Sequence, residues 1–179
     1  IKKQPNAIPY VTSYYNRTWG FCMSEDTKKK MTDDEYLVEI DSTFDNGPMY
    51  YGEYYLPGEK EDREILFSTY VCHPSMVNNE LSGPVVSLAL AKYLSKIKRK
   101  YSYRFLFLPE TIGSISYLNK NLETMKERIF AGLVLTCIGD ERCFSIVSAK
   151  NRNPLEEILR EVITKKAKEY NSKIKLYSF

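Results

Sequence analysis

The chain holds a single histidine, His73, in 179 residues. Any site that needs two imidazoles must find the second one elsewhere. The four cysteines, at positions 22, 72, 137 and 143, include no Cys-x-x-Cys pair. Without paired spacing or a signal-like leader they are expected to be free thiols in a reducing compartment, the cytoplasm. No apolar run approaches the roughly 18–20 residues that span a bilayer, so no membrane partner is expected. No basic stripe is present either. The net charge is +3, from 26 lysines and arginines against 23 acids, and the two signs interleave in "EKEDRE" and "LEEILREVITKKAKE". That pattern is solvated surface, which argues against a nucleic-acid partner. Internal repeats and low-complexity tracts are also lacking.

The residues that remain are those of a globular chain. Hydrophobic residues make up 43%, enough for a sizeable core. Fifteen tyrosines gather in pairs at Tyr14–Tyr15, Tyr50–Tyr51 and Tyr54–Tyr55. Strand packing is the simpler account of these pairs; a stacking face for sugar or peptide is the alternative. The first residue is Ile1 and the last lies in strand-like "KIKLYSF", so both ends read as cut from a longer chain.

Residues 7–57 carry turn signals at short intervals. "DEYLVEID" alternates Tyr36, Val38 and Ile40 on one face, "DNGP" turns the chain, and "MYYGEYYLP" resumes a strand. This section predicts a small antiparallel β unit. From residue 64 to 179 the pattern changes. "ILFSTYVC", "YSYRFLFLPE" and "IFAGLVLTCIG" are nearly unbroken apolar runs of strand length, as in strands buried on both faces. "CFSIVSA" predicts a fourth strand and "KIKLYSF" a last one, whose free edge would leave association into a homo-oligomer open. Helices are expected between them. In "LSGPVVSLALAKYLSKIKRK", Ser82 is the expected N-cap, and Val86, Leu90, Tyr93, Leu94 and Ile97 form the apolar stripe. "TIGSISYLNKNLETMKER" reads as a helix broken near Asn119–Asn121. "NPLEEILREVITKKAKEY" starts on Asn153, with Glu156 as its capping-box acid and Leu155, Ile158, Leu159 and Val162 buried. Alternating strands and helices predict an α/β sandwich around a mostly parallel sheet.

In such sheets ligands bind beyond the carboxyl ends of the strands. His73 follows the first buried strand, Glu110 the second, and Asp140 with Glu141 the third. If these strands are neighbours, an imidazole and carboxylates meet on one rim and suit Zn²⁺. A spare carboxylate there could deprotonate a water. Each residue also has a structural reading: His73 as a polar strand end, Glu110 as a helix-capping acid, Asp140 as a turn residue.

Three segments, "AIPYVTSYYNRTWGFCMS", "CHPSMVNNELSGPVV" and "LPETIGSISYL", together resemble bacterial aminopeptidase-like proteins of unknown function, some linked to polysaccharide biosynthesis. The resemblance implies a three-layer zinc-aminopeptidase-like sandwich with an inserted β unit, here 7–57. It also implies a hydrolase that cleaves the amide bond of a small peptide or an amide-bearing sugar, using one or two Zn²⁺ ions. His73 then matches the first histidine ligand. Asn79 stands where the bridging aspartate of the metallopeptidases would be, with Glu80 beside it as a substitute. Glu110 matches the general base, and Thr111 replaces the acid that normally follows it. Asp140 matches a later acidic ligand. The second histidine ligand is expected beyond residue 179. The alternative is a degenerate peptide- or glycan-binding module on the same fold.

Overall fold

The computed structural model describes residues 3–9, 11, 16–43, 45–73, 76–150 and 154–178. The chain divides into two compact units, Ile1–Asn46 and Gly47–Phe179. The first holds one short helix, α1 (Glu25–Lys29), capped by Ser24, whose hydroxyl accepts from the Thr27 N–H at 3.1 Å. "DEYLVEID" lies in this unit without forming a strand, and Leu37 is 97% exposed. A period-two pattern becomes a strand only where a neighbour completes its hydrogen bonds. Among the described residues no segment does so, and the expected antiparallel unit is not seen there. Tyr14 and Tyr15 lie outside the described residues.

The second unit is mixed α/β with a mostly parallel central sheet. Its strands are β1 (Gly52–Leu56), β2 (Lys60–Tyr70), β3 (Tyr101–Leu108) and β4 (Ile129–Val134), in the order β1-β3-β2-β4. β2 runs parallel to both β3 and β4, while β1 is an antiparallel edge on β3. The strand expected in the inserted unit, "MYYGEYYLP", is therefore an edge of the main sheet.

Between β2 and β3 run α2 (Val77–Glu80) and α3 (Ser82–Leu94); α4 (Ile112–Arg128) links β3 to β4. Successive β3 side chains point to opposite faces, and the core divides accordingly. Phe105, with Tyr103 and Phe107 beside it, packs with Leu56, Leu90, Ala91 and Leu94 on the α3 side. Leu106 and Leu108 pack with Leu66, Tyr117 and Met125 on the α4 side. Fully burying Phe105 contributes about 1.5–3 kcal/mol.

Both of these helices differ from expectation, α3 for a steric reason. α3 buries Gly83, Ser87, Ala91 and Leu94, whereas Val86, Tyr93 and Ile97 are exposed. Its small residues face the sheet because the approach is close: a Cβ on Gly83 would lie 2.3 Å from the Leu135 carbonyl oxygen. Ser82 is already helical and does not cap; its hydroxyl donates to the Asn78 carbonyl at 2.5 Å and accepts from the Ile138 N–H at 3.0 Å. α4 runs unbroken through Asn119–Asn121, and the Asn121 side chain donates to the Tyr117 carbonyl at 2.9 Å.

Glu64 is fully buried in β2 and takes a two-pronged bond from Arg104, Nε to Oε2 at 2.6 Å and Nη2 to Oε1 at 2.9 Å. Arg104 also bonds Glu53, and its guanidinium lies over the Tyr55 ring. A buried carboxylate persists only with such a partner. The Glu64 hydrogen bond in turn holds the Arg104 guanidinium above its usual range.

β5 (Phe144–Val147) and β6 (Ile174–Tyr177) form a separate parallel pair joined by α5 (Pro154–Glu169). The fourth expected strand thus stands outside the central sheet, and the last strand has a partner. Asn153 lies outside the described residues. Glu156 is buried and accepts from Ser148 at 2.8 Å and Arg160 at 2.7 Å. Of the expected α5 stripe, Ile158 and Val162 are exposed; Leu155, Leu159, Ile163 and Ala167 face inward. Among the described residues no helix is long and apolar enough to cross a membrane.

Candidate metal centre at the carboxyl ends of β2 and β3

The sheet topology brings two loop tips together. β2 and β3 are parallel neighbours whose last residues pair, Tyr70 with Leu108, and the Val71 N–H donates to the Leu108 carbonyl at 2.9 Å. From there the chain leaves toward α3 on one face and α4 on the other. A crevice opens where adjacent strands send their connections to opposite faces. His73 follows Tyr70 closely and Glu110 follows Leu108, so both lie at this rim of the sheet.

They meet there. His73 Nε2 lies 3.1 Å from Glu110 Oε2, with the two side chains 28% and 42% exposed. The contact is polar and open to a ligand. Cys72 joins them: among the described residues, Cys72, His73 and Glu110 are the one set of three such side chains with donor atoms all within 4.8 Å. All three lie beyond the strand ends, where the alternation of side chains no longer separates neighbours.

The backbone that aims Glu110 is strained. Thr111 sits at φ 59°, ψ −68°, and the Ile112 N–H donates to the Glu110 carbonyl at 2.6 Å. This is a tight three-residue turn of the rare positive-φ kind. For a β-branched residue that conformation costs about 1–3 kcal/mol, and such strain gathers at functional sites. Cys137, in the loop after β4, also has positive φ, 51°.

The other nominated residues have different partners. The Asn79 amide donates to Tyr70 Oη at 3.0 Å and to Cys137 Sγ at 3.5 Å. Tyr70 Oη is itself 2.5 Å from Thr136 Oγ1. Glu80 is 4% exposed and folds back onto the backbone, where its Oε2 accepts from the Cys72 N–H at 2.5 Å. Its Oε1 is buried, with no hydrogen-bond partner among the described residues. Glu80 therefore fixes the Cys72–His73 backbone rather than joining the cluster. Asp140 is carried away along the loop after β4. It accepts from Asn78 Nδ2 at 2.9 Å and from Arg142 through both side chain, 2.6 Å, and backbone, 3.0 Å. The Arg142 guanidinium and N–H hold its carboxyl well below the usual carboxylate range. Asn79, Glu80 and Asp140 thus stay outside the set that His73 and Glu110 form.

Cys72 is the member that reading the sequence passed over. Its thiol belonged to the apolar run "ILFSTYVC", but β2 ends at Tyr70 and leaves Cys72 exposed. The available signal was the Cys-His dipeptide just past a strand end. The donor chemistry suits a metal: imidazole nitrogen, thiolate sulfur and carboxylate oxygen are the three ligand types of Zn²⁺.

A family profile described as a domain of unknown function (DUF4910) matches residues 7–178. The chain belongs to this family. It is 52% identical over 140 residues, 78% of its length, to a Clostridium acetobutylicum protein named "Putative polysaccharide biosynthesis protein with aminopeptidase-like domain". It is also similar to the crystal structure of a "putative peptidase" from Clostridium acetobutylicum, with a TM-score of 0.86 and 43% identity over 100% of this chain. The chain spans 32% of the first protein and 41% of the second. The resemblance to aminopeptidase-like proteins of unknown function therefore holds at the level of this domain.

Proposed function

We propose that this chain contributes the metal-binding crevice of an aminopeptidase-like hydrolase that cleaves an amide bond in a small peptide or an amide-bearing sugar. The observation that carries this reading is the His73–Glu110 pair at the carboxyl ends of two parallel strands, 3.1 Å apart and partly open to solvent. The names of the similar proteins and the zinc-aminopeptidase-like sandwich that the α/β fold suggests point the same way. A bound Zn²⁺ would supply Lewis acidity, polarising the amide carbonyl and acidifying a water. His73 would hold the ion through its imidazole. Glu110 would take a proton from the attacking water and pass it to the amine that leaves, as the C–O bond forms and the C–N bond breaks. The strained turn at Thr111 keeps that carboxylate directed at the crevice. Free thiols at all four cysteines suit the reducing cytoplasm we assign to the protein.

The test is made on the full-length protein, measuring zinc content and release of amine from peptide and N-acyl sugar amides. Glu110→Gln is expected to lose about 10²–10⁴-fold in turnover while keeping zinc. His73→Ala is expected to lose the metal. Unchanged turnover in Glu110→Gln removes Glu110 from the mechanism, and a protein that binds no zinc refutes the hydrolase reading. The engagement of the Asn79 amide with Tyr70 and Cys137 favours one rival, a non-catalytic peptide- or glycan-binding module. Metal-independent binding of such a ligand would select it.

A further inference from the structure

We propose that Cys72 is a metal ligand beside His73, so that the crevice selects a thiophilic ion through one sulfur and one nitrogen donor, with Glu110 as the adjoining carboxylate. The inference rests on the metal-dependent reading above and adds the ligand that reading lacks. Asn79, at the position of the expected bridging acid, donates its amide elsewhere. Glu80 is turned onto the Cys72 N–H, and Asp140 onto Arg142 and Asn78. The thiol of Cys72 has the reach that these three do not.

The spacing suits one ion. Bonds of about 2.3 Å to sulfur and 2.0–2.2 Å to nitrogen or oxygen set tetrahedral donors about 3.4–3.6 Å apart. The Cys72, His73 and Glu110 donors fall within 4.8 Å of one another, and His73 with Glu110 at 3.1 Å. Small rotations of Cys72 and His73 bring sulfur and nitrogen to that separation and leave Glu110 beside the ion as the base. Both Cys72 and Glu110 are reachable from solvent, which provides an entry path. On binding, the thiol proton leaves to solvent and the thiolate takes its place on the metal. Glu80 acts through the backbone. Its buried carboxylate grips the Cys72 N–H and fixes the direction in which the Cys72–His73 pair projects, as outer-shell groups do at metal sites. A sulfur donor also dictates the choice of ion: Zn²⁺ and Co²⁺ over Mg²⁺, Ca²⁺ or Mn²⁺, which prefer oxygen.

Co²⁺ titration of the reduced full-length protein reads this directly. The wild type should develop visible d–d bands and a near-ultraviolet thiolate-to-cobalt charge-transfer band. Zn²⁺ should displace both, and excess Mg²⁺ neither. Cys72→Ser should lose the charge-transfer band and weaken Co²⁺ binding by at least the roughly 10–100-fold that loss of an outer-shell partner costs. Cys22→Ser, Cys137→Ser and Cys143→Ser should keep the band. As a check independent of folding in the variants, Zn²⁺ should slow alkylation of Cys72 in the wild-type chain, mapped by peptide mass, more than that of Cys137. Co²⁺ bound with d–d bands but no charge-transfer band overturns the Cys72 assignment and leaves the hydrolase reading standing. A band that survives Cys72→Ser overturns it as well. No Co²⁺ or Zn²⁺ binding at all overturns both.

Discussion

Gly83→Ala tests how the rim that carries His73 and Glu110 is built. The backbone of Gly83 has negative φ, so alanine meets no conformational barrier, and in an open helix it would gain up to about 1 kcal/mol. Contact decides otherwise. The new Cβ would lie 2.1 Å from Thr69 Oγ1 and 2.3 Å from the Leu135 carbonyl oxygen, against 3.4–4 Å for ordinary contact. Thr69 is 1% exposed and donates to that same carbonyl at 2.9 Å. Rotating Thr69 away loses a buried hydrogen bond, about 1 kcal/mol. The Leu135 oxygen is backbone and cannot rotate, so α3 must lift by about 1 Å, an overpacking cost of about 1–3 kcal/mol. With the small propensity gain at a helix start, the net loss is about 2–3 kcal/mol, or about 5–10 °C in Tm for a chain of this size. Urea and thermal unfolding would measure it, with Gly47→Ala as control, since nothing lies within 4 Å of that Cβ. Lifting α3 also loosens α2 and the Glu80 contact to Cys72, so Zn²⁺ affinity should fall with stability. A Gly83→Ala chain as stable as wild type would refute the close packing of α3 on β2 and the loop after β4.

Two further outcomes follow from the polar network on the sheet. Burial, reinforced by the Glu53 carboxylate and opposed by Arg104, pushes the Tyr117 phenol up to about 12 from 10.0. A raised phenol contributes stability below its unfolded value that disappears as pH rises through the folded one, so wild type should lose about 2 kcal/mol between pH 10 and 12. Tyr117→Phe should lack this loss in pH-dependent urea unfolding, and an identical alkaline slope in both proteins would refute it. Glu64→Gln, which removes the buried carboxylate and leaves the largely covered guanidinium of Arg104 without its two-pronged partner, should cost about 3–5 kcal/mol in denaturant unfolding. A cost under about 1 kcal/mol would mean that Glu53 alone holds Arg104.

Much of the second unit was legible because buried strands and amphipathic helices carry their own period. "ILFSTYVC" and "YSYRFLFLPE" became β2 and β3, and His73 and Glu110 did fall at their ends. Less legible was anything set by approach rather than by pattern. The apolar stripe of α3 pointed to Val86 and Tyr93, but the sheet is met by Gly83, Ser87 and Ala91 because the backbones nearly touch. "DEYLVEID" had the alternation of a strand and no neighbour to pair with among the described residues. Asp140 sat after a strand like His73 and Glu110, yet the loop after β4 carries it to Arg142 and Asn78.

The sequence by itself determined most element types of the second unit, an interleaved charge pattern, and the two residues that meet beyond the ends of β2 and β3. Only the tertiary structure decided their company. The order β1-β3-β2-β4 and the pairing of Tyr70 with Leu108 set which strand ends are neighbours, something no local pattern encodes. The same register ends β2 two residues before Cys72, turning a thiol that read as core into one that faces His73 and Glu110. Hydrogen bonds, local for Glu80 and partly long-range for Asn79 and Asp140, then drew these three to other partners. Chemistry at this rim depends on which donors come within a few ångströms, and that is fixed by packing.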